Sequence, residues 1–112
     1  MVFSMARDAH SVVVTVHGPL AADDPPVLCR AVEEQLRRHA RRVVVDFGPG
    51  ELGPAAFRTA VRIDRICRAR EAVCALVSID PDRLSQATAG SAGVGRRPLV
   101  ASSVAAALSL DA

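Results

Sequence analysis

The groups of this 112-residue chain that could do chemistry are three histidines, three cysteines and twelve carboxylates. Nucleophilic catalysis needs a base within hydrogen-bond reach of the nucleophile and a third group to orient that base. His10 falls in a turn, His17 at a strand end and His39 at a helix end, and the chain suggests no Ser-His-Asp or Cys-His pairing. Cys29, Cys67 and Cys74 give no C-x-x-C, no even disulfide set and no zinc-ligand spacing with histidine. Each lies in an apolar pattern and reads as a small buried hydrophobe in a reducing compartment. Asp46 and Glu51 stand near a glycine-rich loop. Without an acid–base partner set they read as loop hydrogen bonding and solvation. There is no G-x-x-x-x-G-K-[ST]. Ala89 to Gly95, AGSAGVG, has the wrong glycine order for a dinucleotide fingerprint, and it follows a helix where that motif follows a strand. It reads as a loop. The expectation is a non-enzyme with no catalytic residue, no metal and no cofactor.

The elements that position these groups centre on Arg41 to Arg70. Val43-Val44-Val45, closing with Asp46-Phe47, is the β-branched run of a strand buried on both faces. The glycines and prolines of Gly48 to Pro54 break it. A helical pattern then runs from Ala55 to about Arg70. Its inward stripe is Ala56, Ala60, Ile63 and Cys67, with Phe57 and Val61. Arg58, Arg62 and Arg65, at i, i+4 and i+7, share the outward face, and Asp64 can pair with Arg68 at i+4. In open α/β sheets ligands and partners sit outside the carboxyl ends of the strands. The functional centre is therefore expected between Gly48 and Arg58.

Around this unit, Val2 to Ala6 and Ser11 to His17 read as an antiparallel hairpin, with turn chemistry at Asp8. Gly18-Pro19 ends the second strand. Asp23-Asp24-Pro25-Pro26 starts a helix, because Asp can cap and Pro is tolerated in the first turn. Leu28, Ala31, Val32 and Leu36 form its buried face. Ala72 to Ile79 is a further strand, Asp80 caps a helix over about Asp82 to Ala87, Leu99-Val100 is a short strand, and Ser102 or Ser103 caps a last helix from Val104 to Leu108. The order ββαβαβαβα predicts one α/β domain over residues 1–112, with a mixed sheet of four or five strands covered by helices and Val43 to Phe47 central.

Composition narrows the partners. A hydrophobic fraction of 50% supports a core, and no apolar run approaches the roughly 18 residues that span a bilayer. MVFSMARD carries no leader pattern, so a cytoplasmic address and no membrane insertion are expected. The net charge of +2 is too small to argue for nucleic acid. Arg37, Arg38, Arg41 and Arg42 gather at a helix end, where positive charge complements the dipole. With no Trp or Tyr, stacking platforms for single strands are missing.

The order, with VVVDF, a short loop, a helix of about four turns and then CALVSIDP, resembles the STAS domain of bacterial anti-sigma factor antagonists. Gly18-Pro19-Leu20 before the helix at Pro25 is similar to the family's G-x-L turn. Asp46 matches the Asp that ends its central strand, and Leu84 to Gly90, with Thr88, is similar to its L-x-x-x-T-G region. The resemblance implies a bacterial signalling protein that regulates transcription by binding a partner through Gly50, Glu51, Gly53, Pro54 and Ala55 and through Arg58, Arg62 and Arg65. That partner would be an anti-sigma factor of the histidine-kinase-like ATPase type. A scaffold in a larger assembly and a subunit beside a lipid transporter are the alternatives, and a homodimer is left open. The chain departs from the family at the centre of the motif. Where the resemblance puts Asp-Ser-Ser, this sequence has Gly53-Pro54-Ala55, so Pro54 occupies the phosphoacceptor position and no hydroxyl remains between Gly48 and Arg58.

Overall fold

Alternation of buried and half-buried residues along Ser11–His17 puts Val12, Val14 and Val16 on one face of a strand, as its period-2 pattern requires. The computed structural model describes residues 2–20, 24–50, 52–89 and 98–109. They form β1 (Val2–Asp8), β2 (Ser11–His17), α1 (Asp24–Arg37), β3 (Arg42–Asp46), α2 (Pro54–Ala69), β4 (Val73–Val77), α3 (Pro81–Ala89), β5 (Leu99–Ala101) and α4 (Val104–Ser109). The sheet has five strands in the order β1-β2-β3-β4-β5. β1 is antiparallel to β2 and the rest are parallel, so the sheet is mixed with β3 at its centre.

Val43, Val44 and Val45 are each 0% exposed, which is what coverage of both faces demands. Val43 and Val45 point into the larger core with Leu28, Val32, Ile63 and Leu84 from α1, α2 and α3. Val44 points the other way, to Ala75, Val77, Ala101 and Ala107, under α4. Three helices therefore cover one face, and the short α4 covers part of the other. Strand order runs in one direction without reversal.

Several boundaries differ from the sequence reading. The hairpin turns at Ala9-His10, two residues later than expected, because β1 pairs with β2 as far as Asp8↔Ser11. Ala9 takes φ 51 there. α2 begins at Pro54, with Gly53 as cap residue. Within α2, Phe57 and Val61 are only half-buried, while Thr59 and Asp64 are buried. Thr59 is accommodated because its Oγ1 donates to the Ala55 carbonyl at 2.8 Å. Asp64 pairs with Arg68 at 3.0 Å, as expected. Burial pushes the Asp64 carboxyl above its ordinary value, against the opposing pull of Arg68. The loop read at Ala89 to Gly95 lies, after Ala89, outside the described residues.

Two cap residues act as read, while Asp23 before α1 lies outside the described residues. Asp80 Oδ1 accepts from Arg83 N at 3.2 Å, and Ser103 Oγ accepts from Ala106 N at 3.1 Å. The arginine run after α1 is largely used within the fold. Arg38 and Arg37 pair with Glu34 at 3.2 and 3.8 Å. Arg42 donates to the Ala107 and Leu108 carbonyls at 3.3 and 3.0 Å, satisfying the carboxyl end of α4.

Candidate functional site

The loop after β3 is shaped by its backbone. Asp46 Oδ1 accepts from the Gly48 N–H at 2.9 Å, closing a turn of the kind Asp favours. Gly48 takes φ 80, and a Cβ there would lie 3.3 Å from the Val16 carbonyl oxygen. Phe47 is buried, its N–H donating to the Val77 carbonyl at 3.0 Å, and Leu52 is buried at the far side of the loop. These two side chains pin the loop at both ends and leave Pro49, Gly50, Gly53 and Pro54 exposed.

α2 starts without a side-chain cap. Gly53 contributes only its carbonyl, which accepts from Ala56 and Phe57 at 3.0 and 3.3 Å, and Pro54 occupies the first turn, where its missing N–H costs nothing. Of the residues singled out from the sequence, Gly50, Gly53, Pro54, Arg58, Arg62 and Arg65 are exposed along this loop and helix. Ala55 is 7% exposed and faces inward, so its side chain offers a partner almost nothing. Glu51 lies outside the described residues.

Arg58, Arg62 and Arg65 share one outward stripe. Among the described residues none of the three forms an ion pair. Phe57 and Val61 line a depression of about 320 Å³ with them, so the stripe is a cationic rim on an apolar floor. Arg83 of α3 lies 5.6 Å from the Phe57 ring centroid and adds a fourth positive group. A second hollow, of about 250 Å³, lies between Arg58 and Arg62 and the prolines Pro25 and Pro26 of α1. The apolar floor was missed in the sequence reading. Its signal was present: Phe57 and Val61 are at i, i+4, one position before Arg58 and Arg62, between the core stripe and the charged one.

The sheet brings together groups that are distant in the chain. Ser4 Oγ lies 3.0 Å from His17 Nε2 across the hairpin. The pair is exposed on an open sheet surface, and no described carboxylate bonds His17, so it lacks the orienting third group of a catalytic triad. Ser78, Ser102, Ser103 and Asp46 line a hollow of about 350 Å³ at the ends of β3, β4 and β5. Hydroxyls absent from the loop thus stand across the sheet end from it. Among the described residues no His, Cys, Asp or Glu cluster could hold a metal, and no helix is long and apolar enough to cross a membrane.

All three cysteines are free and buried. Hydrogen bonding with Cys67, then burial, holds the Cys74 thiol well above its usual range, and burial raises Cys29 against the pull of Arg62.

No family model matches the chain, and no curated protein matches it. Among solved structures, the chain is similar to the NMR structure of the protein TM1081, with a TM-score of 0.70 and 12% identity. The match covers 96% of this chain and 86% of that one. Together with the sheet order, this defines a small α/β domain with a mixed five-stranded sheet and four helices. At this identity the likeness speaks for the fold alone.

Proposed function

We propose that this chain is a non-enzymatic protein-binding regulator of the STAS type, docking an acidic partner through the loop after β3 and the outward face of α2. The observation that carries the reading is the rim of Arg58, Arg62 and Arg65 around Phe57 and Val61. Guanidinia that form no ion pair among the described residues steer an anionic face toward the helix, and the half-covered aromatic ring supplies apolar area to bury. The exposed Gly50, Gly53 and Pro54 extend this surface to the carboxyl end of the central strand. By the sequence resemblance, the partner is an anti-sigma factor with a histidine-kinase-like ATPase fold. A cytoplasmic address goes with this reading.

The loop works without a phosphoryl switch. Pro54 has no acceptor oxygen, and the nearest helix hydroxyl, Thr59, is 0% exposed and hydrogen-bonded inward. Affinity capture with the wild-type chain from its source cell, followed by identification of what is retained, tests the proposal. An ATPase of the anti-sigma type is the expected catch. Retention of transporter subunits instead would favour the lipid-transport alternative and overturn the anti-sigma reading. Mass spectrometry after incubation with that ATPase and ATP should find Thr59 unmodified.

A further inference from the structure

The two edges of the sheet are treated differently. β5 has three residues and is preceded by the buried Pro98. β1 has seven, all in register with β2 from Val2↔His17 to Asp8↔Ser11, with no proline and no bulge. In an antiparallel ladder alternate residues turn both backbone groups away from the partner strand. Among the described residues β1 therefore carries a row of outward N–H and C=O groups with no strand beyond it, the template that native edges usually blunt. Its one basic residue does not guard it. The Arg7 guanidinium folds back, donating to the Arg38 carbonyl at 2.7 Å and to Gln35 Oε1 at 3.3 Å.

Those two bonds also show which flank of α1 overlies β1. Ala31 and Val27 stand four and eight positions before Gln35, on the same side of the helix. α1 returns between the parallel β2 and β3, so it runs along β1 in the same direction. From Arg7 back to Phe3 the strand covers about 13 Å, and from Gln35 back to Val27 the helix covers about 12 Å. Phe3 is therefore level with Val27, and Met5 with Ala31. Val27 is 57% exposed, and Phe3 and Met5 are only partly covered. An apolar strip thus runs beside the open backbone edge.

We infer that the β1 edge and the α1 flank above it form the contact surface for a second copy of this chain, joined across a two-fold axis at Met5 into one continuous ten-stranded sheet. In that register Met5 faces the partner's Met5, Ser4 faces the partner's Ala6 and Phe3 faces the partner's Arg7. Small residues meet small ones on the open face, the anchored guanidinium meets the ring, and no like charges oppose. The contact is isologous and closes at two copies, since the short β5 edge adds no further strand. An extended segment of another protein could satisfy the backbone, but the matched side chains across the axis favour a second copy. The surface leaves Arg58, Arg62 and Arg65 free, so it stands or falls independently of the docking site.

Sedimentation equilibrium over a wide concentration range tests this on the wild type, Val27→Glu, Met5→Lys and Met5→Cys. The wild type should reach twice its 11.8 kDa mass. Val27→Glu, an exposed change that leaves the core intact, should raise the dimer dissociation constant at least tenfold with an unchanged circular dichroism spectrum. Met5→Lys should do the same. Met5→Cys should oxidise to a covalent dimer, because residues facing one another across an antiparallel pair lie within disulfide reach. A wild type that stays at 11.8 kDa throughout overturns the proposal. So does a dimer that survives Val27→Glu unchanged, or a Met5→Cys chain that stays monomeric under oxidant.

Discussion

The two ends of the mixed sheet turn the chain in opposite ways. At the carboxyl ends of β2 and β3, glycines take the left-handed conformation, Gly18 at φ 93 and Gly48 at φ 80, and prolines follow each. The loops there are exposed and border hollows, including one of about 340 Å³ between Pro19, Phe47 and Pro49. At the other end Ala9, His39 and Glu71 take φ 51, 69 and 56 despite their Cβ atoms. Those turns are short and bonded. The Ala40 N–H reaches back to the Gln35 carbonyl at 3.1 Å and the Ala72 N–H to the Cys67 carbonyl at 2.8 Å, the wide bond of a Schellman helix end. One end spends backbone strain to hold helix against strand tightly. The other avoids strain and keeps a surface open to a partner.

The largest expected effect lies at Gly48. Gly48→Ala forces a Cβ into left-handed backbone and toward the Val16 carbonyl, and should cost at least the left-handed penalty of about 1–2 kcal/mol. Gly18→Ala meets nothing within 4 Å and should cost the backbone part alone. Urea unfolding of the two variants separates steric from conformational cost; equal losses would mean that the Val16 contact is relieved by a shift.

The opposite end should respond in the opposite sense. His39→Gly and Glu71→Gly relieve about 1–2 kcal/mol of left-handed strain and add about 0.5–1 kcal/mol of unfolded-chain entropy. Each should stabilise by about 0.5–1 kcal/mol, the balance of those two terms. Destabilisation of both would show that their side chains contribute more than the strain they carry.

A smaller effect concerns pH. Because the folded Asp64 carboxyl is raised above its ordinary 3.8, the native state holds its proton more tightly than the unfolded chain. Its contribution to stability therefore falls as pH rises from the ordinary value through the folded one, opposite to the usual salt-bridged carboxylate. Subtracting the pH profile of Asp64→Asn from that of the wild type should show this sign, and a difference that rises with pH over that window would contradict it. The smallest effect is one of rate. Cys29 and Cys74, with buried and raised thiols, should resist alkylation in the native state and react on unfolding. Fast native labelling of Cys74 would mean that α2 opens from β4.

What could be read from the sequence followed from periodicity and caps. Ser11–His17, the doubly buried Val43 to Val45, and the caps Asp80 and Ser103 all obey local rules, and local rules are legible. The hairpin turn was placed two residues early because Asp8 carries turn chemistry, whereas pairing with Ser11 extends the strand and leaves the turn to an alanine with no such signal. The inward stripe read for α2 left out Thr59 and Asp64, which are buried. Their burial depends on bonds, to the Ala55 carbonyl and to Arg68, that hydropathy alone does not score. The candidate site was legible as an arginine stripe. Its apolar floor showed only as the i, i+4 spacing of Phe57 and Val61, and periodicity alone assigned both to the buried stripe.

The central claim is that the open end binds and that its arginines carry the recognition. Titration calorimetry of the captured partner against the wild type and the triple variant Arg58→Glu, Arg62→Glu, Arg65→Glu tests it most directly. A single exposed charge contributes about 0.2–1 kcal/mol, but reversing three replaces attraction with repulsion. The account predicts a loss of binding of at least tenfold, with an unchanged fold and weakened salt dependence in what binding remains. Wild-type affinity in the triple variant would contradict the account and reduce the stripe to a solvated helix face.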